Sequence, residues 1–323
     1  MKTVFCAIIT GWLLTFLLWT SKNCPKCCFH HVVKNGFARN KQTYKCKRCN
    51  AKFSFKTDRT PLRRLLWQEY VWHKQTLEQL ARKHKRTKQW VQRQLDQAPL
   101  KQTAQEGQRI VVVTDTTFFG REYGILVVRC PRLKKNVHFH EVSSETPAEY
   151  LRARLELERK GFTIEAAVID GKRGVLKVFQ DVPVQLCQFH QIATVRRYLT
   201  SRPKLDAGKE LRAITLALPT LTEKVFMKLL DIWRDTWKEF LKERTYTEDR
   251  KRWQYTHRRI RSAYRSLNAN APYLFTYQKY PTLHIPNTTN SIDGYFSKLK
   301  QLLNTHRGLT IQRRYRLIQE ILA

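Results

Sequence analysis

Apolar and polar positions along the chain follow two rhythms, one of strands and one of helices, and the changes between them divide it into parts. Ile164, Ala166, Ala167, Val168 and Ile169 form a short apolar run, the pattern of a strand buried on both faces, which stops at Asp170-Gly171. Gly171 to Gln180 predicts a short helix and Val182 to Leu186 a second buried strand, so this stretch is a β-α-β unit with Asp170 at its mouth. Upstream, Ile110 to Val113 repeats the run and ends on Thr114-Asp115. An acid at the carboxyl end of such a strand faces the crevice of an α/β sheet. Asp115 and Asp170 are therefore expected to meet at adjacent strand tips, the outline of a divalent-metal site.

Strands at 109–115, 122–129 and 136–142 make an antiparallel meander, and Thr146-Pro147 starts a helix through Lys160. The resulting β-β-β-α-β-α-β order, with acids after the first and fourth strands, predicts an α/β fold with an RNase H-like catalytic core over 109–323. After Gln191 the rhythm turns helical for about ninety residues, with Val225, Leu229, Ile232, Trp233, Trp237 and Phe240 at helical spacing, which predicts an all-helical insertion at about 192–284 whose aromatics are core. A last helix begins near Asn290 and places Asp293 on its first turn. Asn290 as N-cap with an acid three residues on also resembles a capping box, so helix chemistry alone leaves two roles open for Asp293.

Ahead of the sheet, Thr60-Pro61 opens a helix with Leu62, Leu65, Leu66, Tyr70 and Val71 on one face. Leu77, Leu80 and Ala81 mark a second helix, and Thr87 caps a third whose Trp90, Val91 and Leu95 face inward. Two short helices, a tight turn and a basic second helix predict a helix-turn-helix over 57–98, presenting Lys88, Gln89, Gln92 and Arg93 to a major groove. An ordinary helical hairpin with a wet basic face has the same pattern. Residues 97–108 are polar and form a linker.

The cysteines add a third part. Cys24 and Cys27 are two residues apart, Cys46 and Cys49 likewise, and thiolates on two such turns complete a tetrahedral structural zinc site. Cys28, His30 and His31 are close enough in sequence to stand in for a ligand. Val32-Val33 and Gln42-Thr43-Tyr44 flank a turn at Asn35-Gly36, so 24–56 is a zinc ribbon. Cys6, Cys28, Cys130 and Cys187 show no disulfide framework, which indicates a reduced, cytoplasmic protein. The apolar segment Val4 to Trp19, within residues 1–23, is short for a membrane span and lacks a cleavage site; it is expected to lie against the protein or outside the functional domains.

With 61 Lys and Arg against 26 Asp and Glu, the net charge is +35, spread along the chain, and nucleic acid is the commonest partner of such an excess. Phosphodiester exchange needs an activated nucleophile and charge relief on the leaving oxygen, which two hard cations about 3.5–4 Å apart supply. Magnesium prefers carboxylate oxygens, which suits Asp115, Asp170 and Asp293.

The motifs VVVTDTTFFG at 111–120, AAVIDGKRG at 166–174, CQFH at 187–190 and TTNSIDGYFSKLKQLLNTHRGL at 288–309 together resemble the Mutator-like DDE-type transposases of bacterial insertion sequences. The resemblance covers the chain from Cys24 onward. It implies an acidic triad of Asp115, Asp170 and Asp293 that binds two Mg2+ (or Mn2+) ions, with Cys187 and His190 as the group's accessory C-x-x-H pair. It also implies double-stranded DNA as partner, both terminal inverted repeats and target, and a homo-oligomer working on it in a bacterial cytoplasm. The family usually has Glu where this chain has Asp293, a side chain one methylene longer.

Overall fold

The computed structural model describes residues 23–38, 41–55, 58–100, 107–121, 123–247 and 251–323. The apolar segment 4–19 lies outside these residues. The chain divides into two compact units, the first ending at Leu65 and the second running from Leu66 to Ala323. Among the described residues no helix is long and apolar enough to cross a membrane.

In the first unit, β1 (Val32–Ala38), β2 (Lys41–Cys46) and β3 (Lys52–Phe53) form an antiparallel sheet in that order. The strands run on to the Ala38–Lys41 pair, so the expected turn at Asn35-Gly36 is instead a bulge inside β1, where the register shifts between Lys34 and Phe37 and Gly36 takes a positive φ of 68°. Tyr44, Phe53 and Phe55 cluster on the sheet, with ring centroids 4.9–6.4 Å apart.

The second unit begins within α1 (Thr60–Val71), which buries Leu66, Trp67, Glu69, Tyr70 and Val71. Leu65, expected on that face, is exposed. Buried Glu69 is paired with Lys83 (2.7 Å) and His84 (3.0 Å), so its charge is not left alone. Thr76 caps α2 (Leu77–Lys83) in a capping box with Gln79, and Thr87 caps α3 (Lys88–Asp96) through the Trp90 amide. Helices α2 and α3 pack together as the sequence predicts, with Leu80, Ala81, Val91 and Leu95 buried.

The centre of the unit is a mixed five-stranded sheet. Strands β4 (Arg109–Phe118), β5 (Gly124–Cys130) and β6 (Lys135–Val142) form the antiparallel meander, and β7 (Thr163–Ile169) and β8 (Val184–Leu186) add in parallel, giving the order β6-β5-β4-β7-β8. Helices cover the buried strands, which is why β5 and β7 are almost continuously apolar. α4 (Pro147–Arg159) connects β6 to β7, and the helix expected over 171–180 shrinks to the single turn α5 (Val175–Val178).

After β8 come α6 (Gln188–Leu199), α7 (Asp206–Ala217) and α8 (Glu223–Thr236), then a hairpin of β9 (Arg244–Thr247) and β10 (Arg252–Tyr255), then α9 (Arg258–Leu274) and α10 (Thr276–Lys279). The insertion is therefore not all-helical. In α8 the buried face carries Phe226, Leu230 and Trp233, whereas Val225 and Ile232 are exposed. Trp233 is core as expected, its indole donating to the Ala207 carbonyl at 2.9 Å. The chain closes with α11 (Asn290–Thr305) and α12 (Ile311–Leu322). These two helices also hold the α1–α3 group: Arg313 grips Asp96 with two hydrogen bonds of 2.8 Å, Arg316 donates to the Ala98 carbonyl (2.6 Å), and His306 stacks on Tyr70 at 3.9 Å.

Candidate active site and cysteine cluster

The first candidate site is the cysteine set. Cys24, Cys27, Cys46 and Cys49 bring their sulfurs within 4.8 Å of one another. Cys24 and Cys49 are 3.6 Å apart, as are Cys27 and Cys46, close to the roughly 3.8 Å edge of a tetrahedron with 2.3 Å zinc–sulfur bonds. The two pairs are alike: the amide of Lys26 donates to the Cys24 sulfur and that of Arg48 to the Cys46 sulfur, each at 3.4 Å. Such amides stabilise thiolate, so the donor set fits a structural zinc. Cys28 is exposed with a φ of 58°, His30 and His31 are exposed, and none of the three belongs to the set.

The second site lies where the parallel ladder of the sheet ends. β4 does not stop at Asp115 as expected; it continues to Phe118, because its antiparallel partner β5 pairs with it that far while its parallel partner β7 ends at Ile169. The parallel pairing ends at Val113 with Val168, two residues before Asp115 on β4 and two before Asp170, which follows the end of β7. The charge of Asp170 is felt at Asp115, so the two carboxylates lie near each other beyond the end of the ladder. Each has a local backbone partner at its Oδ1: the Thr116 amide at 2.8 Å for Asp115, the Lys172 amide at 2.9 Å for Asp170.

Asp293 comes in from the first turn of α11. The capping box considered for it is absent: the N-cap is Thr289, no side chain makes a capping bond, and Asn290 lies inside the helix. The charges of both Asp170 and Asp293 reach Asp115. Burial, aided by these two acids and opposed by His190, pushes the Asp115 carboxyl up to about 7, and burial with Glu145 nearby also raises Asp170. Among the described residues only the four cysteines bring three or more metal-donor atoms within 4.8 Å; the three aspartates are spread more widely.

Cys187 and His190 stand beside this group. The neighbouring Cys187 side chain, with the charges of Asp115 and Asp170, raises the His190 imidazole to about 9, and its Nδ1 is buried with no hydrogen-bond partner. Burial works against the Cys187 thiolate, yet the nearby His190 imidazole and hydrogen bonding with Thr289 bring its pKa below the usual thiol value. Cys187 has a further structural part. Its amide donates to the Ile169 carbonyl (2.8 Å), its sulfur accepts from the Thr289 amide (3.3 Å), and next to it the Gln188 amide donates to the Asn287 carbonyl (2.9 Å). The end of β8 thus holds both the strand that leads to Asp170 and the segment from which α11 and Asp293 start.

On α3, Lys88, Gln89 and Arg93 are exposed, and Lys88 rests on Glu78. Lys88 and Arg93 border an open cavity of about 680 Å3 that also includes Arg82, Lys85, Arg86 and Trp90. Gln92 is instead half-buried and lines a different cavity with Asp96 and Arg313. The structure adds three residues that the sequence did not single out, Glu145, Tyr150 and Lys172. Tyr150 donates to Glu145 at 2.6 Å and Lys172 to its other oxygen at 3.1 Å. Lys172 in the D-G-K-R-G run was the one sequence signal; an acid before a helix start is otherwise read as an end charge.

Compared with protein-family models, curated proteins and solved structures, the chain finds no match.

Proposed function

We propose that the chain is a DNA transposase with an RNase H-like catalytic core, of the Mutator-like kind its motifs resemble. The observation that carries the reading is that Asp115 near the end of β4, Asp170 after β7 and Asp293 at the start of α11 lie near enough for the charges of the last two to reach Asp115, with His190 beside them. Three carboxylates in a partly buried space repel one another, and a divalent cation relieves that repulsion. Asp115, Asp170 and Asp293 would hold two magnesium ions, which activate the attacking water or 3′-hydroxyl and neutralise the leaving oxygen. His190 adds fixed positive charge beside the acids, suited to the scissile phosphate. Cys187 holds the start of α11, and so fixes how far Asp293, shorter by one methylene than glutamate, reaches.

The rest of the chain is read as DNA handling. Lys88, Gln89 and Arg93 on α3 supply major-groove contacts, and the surrounding Arg and Lys supply phosphate contacts. Gln92, turned toward Arg313, supports the helix pair rather than base reading. Terminal inverted repeats and target DNA are the partners, with a homo-oligomer bridging two ends.

The test is a cleavage and joining assay with Mg2+ or Mn2+ on DNA carrying the repeats that flank the coding sequence. Cutting at the repeat ends and joining of the 3′ end to a target support the reading, with Asp115→Asn and Asp170→Asn inactive but still binding DNA. Repeat-specific binding with no metal-dependent cutting would make the protein a DNA-binding regulator. Cutting without joining would make it a nuclease.

A further inference from the structure

Asp115 and Asp170 sit on neighbouring strands that have stopped pairing with each other, so the ladder itself no longer sets their spacing. A chain of hydrogen bonds through the start of α4 closes the gap. From Asp115 Oδ1 it passes to the Thr116 amide (2.8 Å), from Thr116 Oγ1 to the Tyr150 hydroxyl (3.3 Å), and from that hydroxyl to Glu145 Oε1 (2.6 Å). Glu145 Oε2 accepts from Lys172 Nζ (3.1 Å), and the Lys172 amide donates to Asp170 Oδ1 (2.9 Å). Tyr150 is almost wholly buried, and burial raises its pKa, so its hydroxyl stays protonated and donates to Glu145.

Packing shows the same closeness independently. Gly174, which ends the loop after Asp170, has a φ of 87°, and a Cβ there would come within 2.9 Å of Pro147 Cγ at the first turn of α4. The loop therefore lies directly on the segment that carries Glu145 and Tyr150.

We propose that Glu145, with Tyr150 and Lys172 as its two arms, is a positioning residue that sets the spacing of Asp115 and Asp170 and so preforms the divalent-cation site. This rests on the reading of those two acids as cation ligands. Glu145 acts through its arms and not on the cation: one oxygen is taken by the buried phenol and the other by the ammonium. Supporting groups of this kind typically change metal affinity by roughly 10- to 100-fold when removed.

The experiment uses the full chain with its cysteines loaded with zinc, titrated with Mn2+ and followed by calorimetry and by the Mn2+ electron-spin signal. Tyr150→Phe removes one arm's hydroxyl, Glu145→Gln removes the charge that holds Lys172, and circular dichroism checks that each is folded. Both are expected to weaken Mn2+ binding roughly 10- to 100-fold, and cleavage is expected to return when Mn2+ is raised in proportion, which a general loss of structure would not allow. If the wild type binds no Mn2+ and Asp115→Asn changes nothing, the reading of the acids fails. If the wild type binds and both variants bind equally well, the positioning inference alone fails. Weakening by Glu145→Gln with none by Tyr150→Phe also overturns it, since Glu145 would then act at the cation itself. Should Tyr150→Phe not fold, Glu145→Gln and Lys172→Met test the other arm, and unchanged Mn2+ binding in both overturns the proposal.

Discussion

The cysteine unit and the sheet unit are stabilised by opposite means. In the first, among the described residues, only Cys24 and Cys46 are fully buried, and its small sheet leaves most side chains in water. In the second, one apolar cluster runs from Ile110 on β4 through Tyr150, Phe179 and Trp233 to Phe275. With so little buried among its described residues, burial there offsets little chain entropy, and a small domain in that position needs a metal or a crosslink. The sheet unit needs neither, because its core supplies the stability and can bear the burial that raises Asp115 and Asp170.

The largest effect that would sharpen this contrast is metal removal. Structural zinc in small modules is worth about 10–16 kcal/mol, so Cys46→Ser or a strong chelator is expected to unfold residues 24–55 while leaving the sheet unit's melting unchanged. Metal analysis and amide exchange check it; a single melting step that moves with the metal would break the contrast.

Next in size is Trp233→Ala. Loss of a fully buried indole costs about 3–5 kcal/mol, so denaturant unfolding of the sheet unit should shift by that amount with zinc content unchanged.

A smaller effect is expected at Asp115. Its carboxyl is raised to about 7, above its ordinary value of 3.8, so the folded protein holds a proton that the unfolded chain releases. The stability from this group is full below about pH 4 and is lost as pH rises to about 7. Metal-free Asp115→Asn should therefore be more stable than the wild type at pH 8, by at most a few kcal/mol at about 1.4 kcal/mol per pH unit, and equally stable near pH 4. Melting temperature against pH measures this, and a gap that persists at pH 4 would exclude the cause given.

The smallest effect on stability is Asp293→Asn. With no capping bond at the start of α11, the acid's favourable local contribution is its interaction with the helix dipole, about 0.3–1 kcal/mol, and its repulsion of Asp115 opposes this. Metal-dependent cleavage should nonetheless disappear and DNA binding remain; a variant that cuts at the normal rate would remove Asp293 from the site. Asp293→Glu should keep or raise activity.

Chemistry carried by neighbouring residues was legible in the sequence. The doubled two-residue cysteine spacing, the Thr87 cap and the apolar runs at 110–113 and 164–169 all depend on local geometry, and the corresponding elements formed. The run of β4 past Asp115 was not legible, because a strand ends where its last partner ends, and the apolar run at 110–113 does not show the register with β5 that carries pairing on to Phe118. The buried face of α8 could not be read either: Val225, Leu229 and Ile232 have the same spacing as Phe226, Leu230 and Trp233, and only the helices packed against them select the second stripe. The β9–β10 hairpin has little apolar content to signal it, with Trp253 63% exposed.

The same division holds at the candidate site. The sequence by itself determined that Asp115 and Asp170 each follow a buried strand and that Asp293 starts a helix, because strand and helix periods are set by the chain's own sterics. Only the tertiary structure decided that the charges of Asp170 and Asp293 reach Asp115, that Gln92 turns toward Arg313, and that Glu145 and Tyr150 reach between the acids. Those relations join residues far apart in the chain, and hydrogen bonds and packing across such distances leave no periodic trace in the sequence.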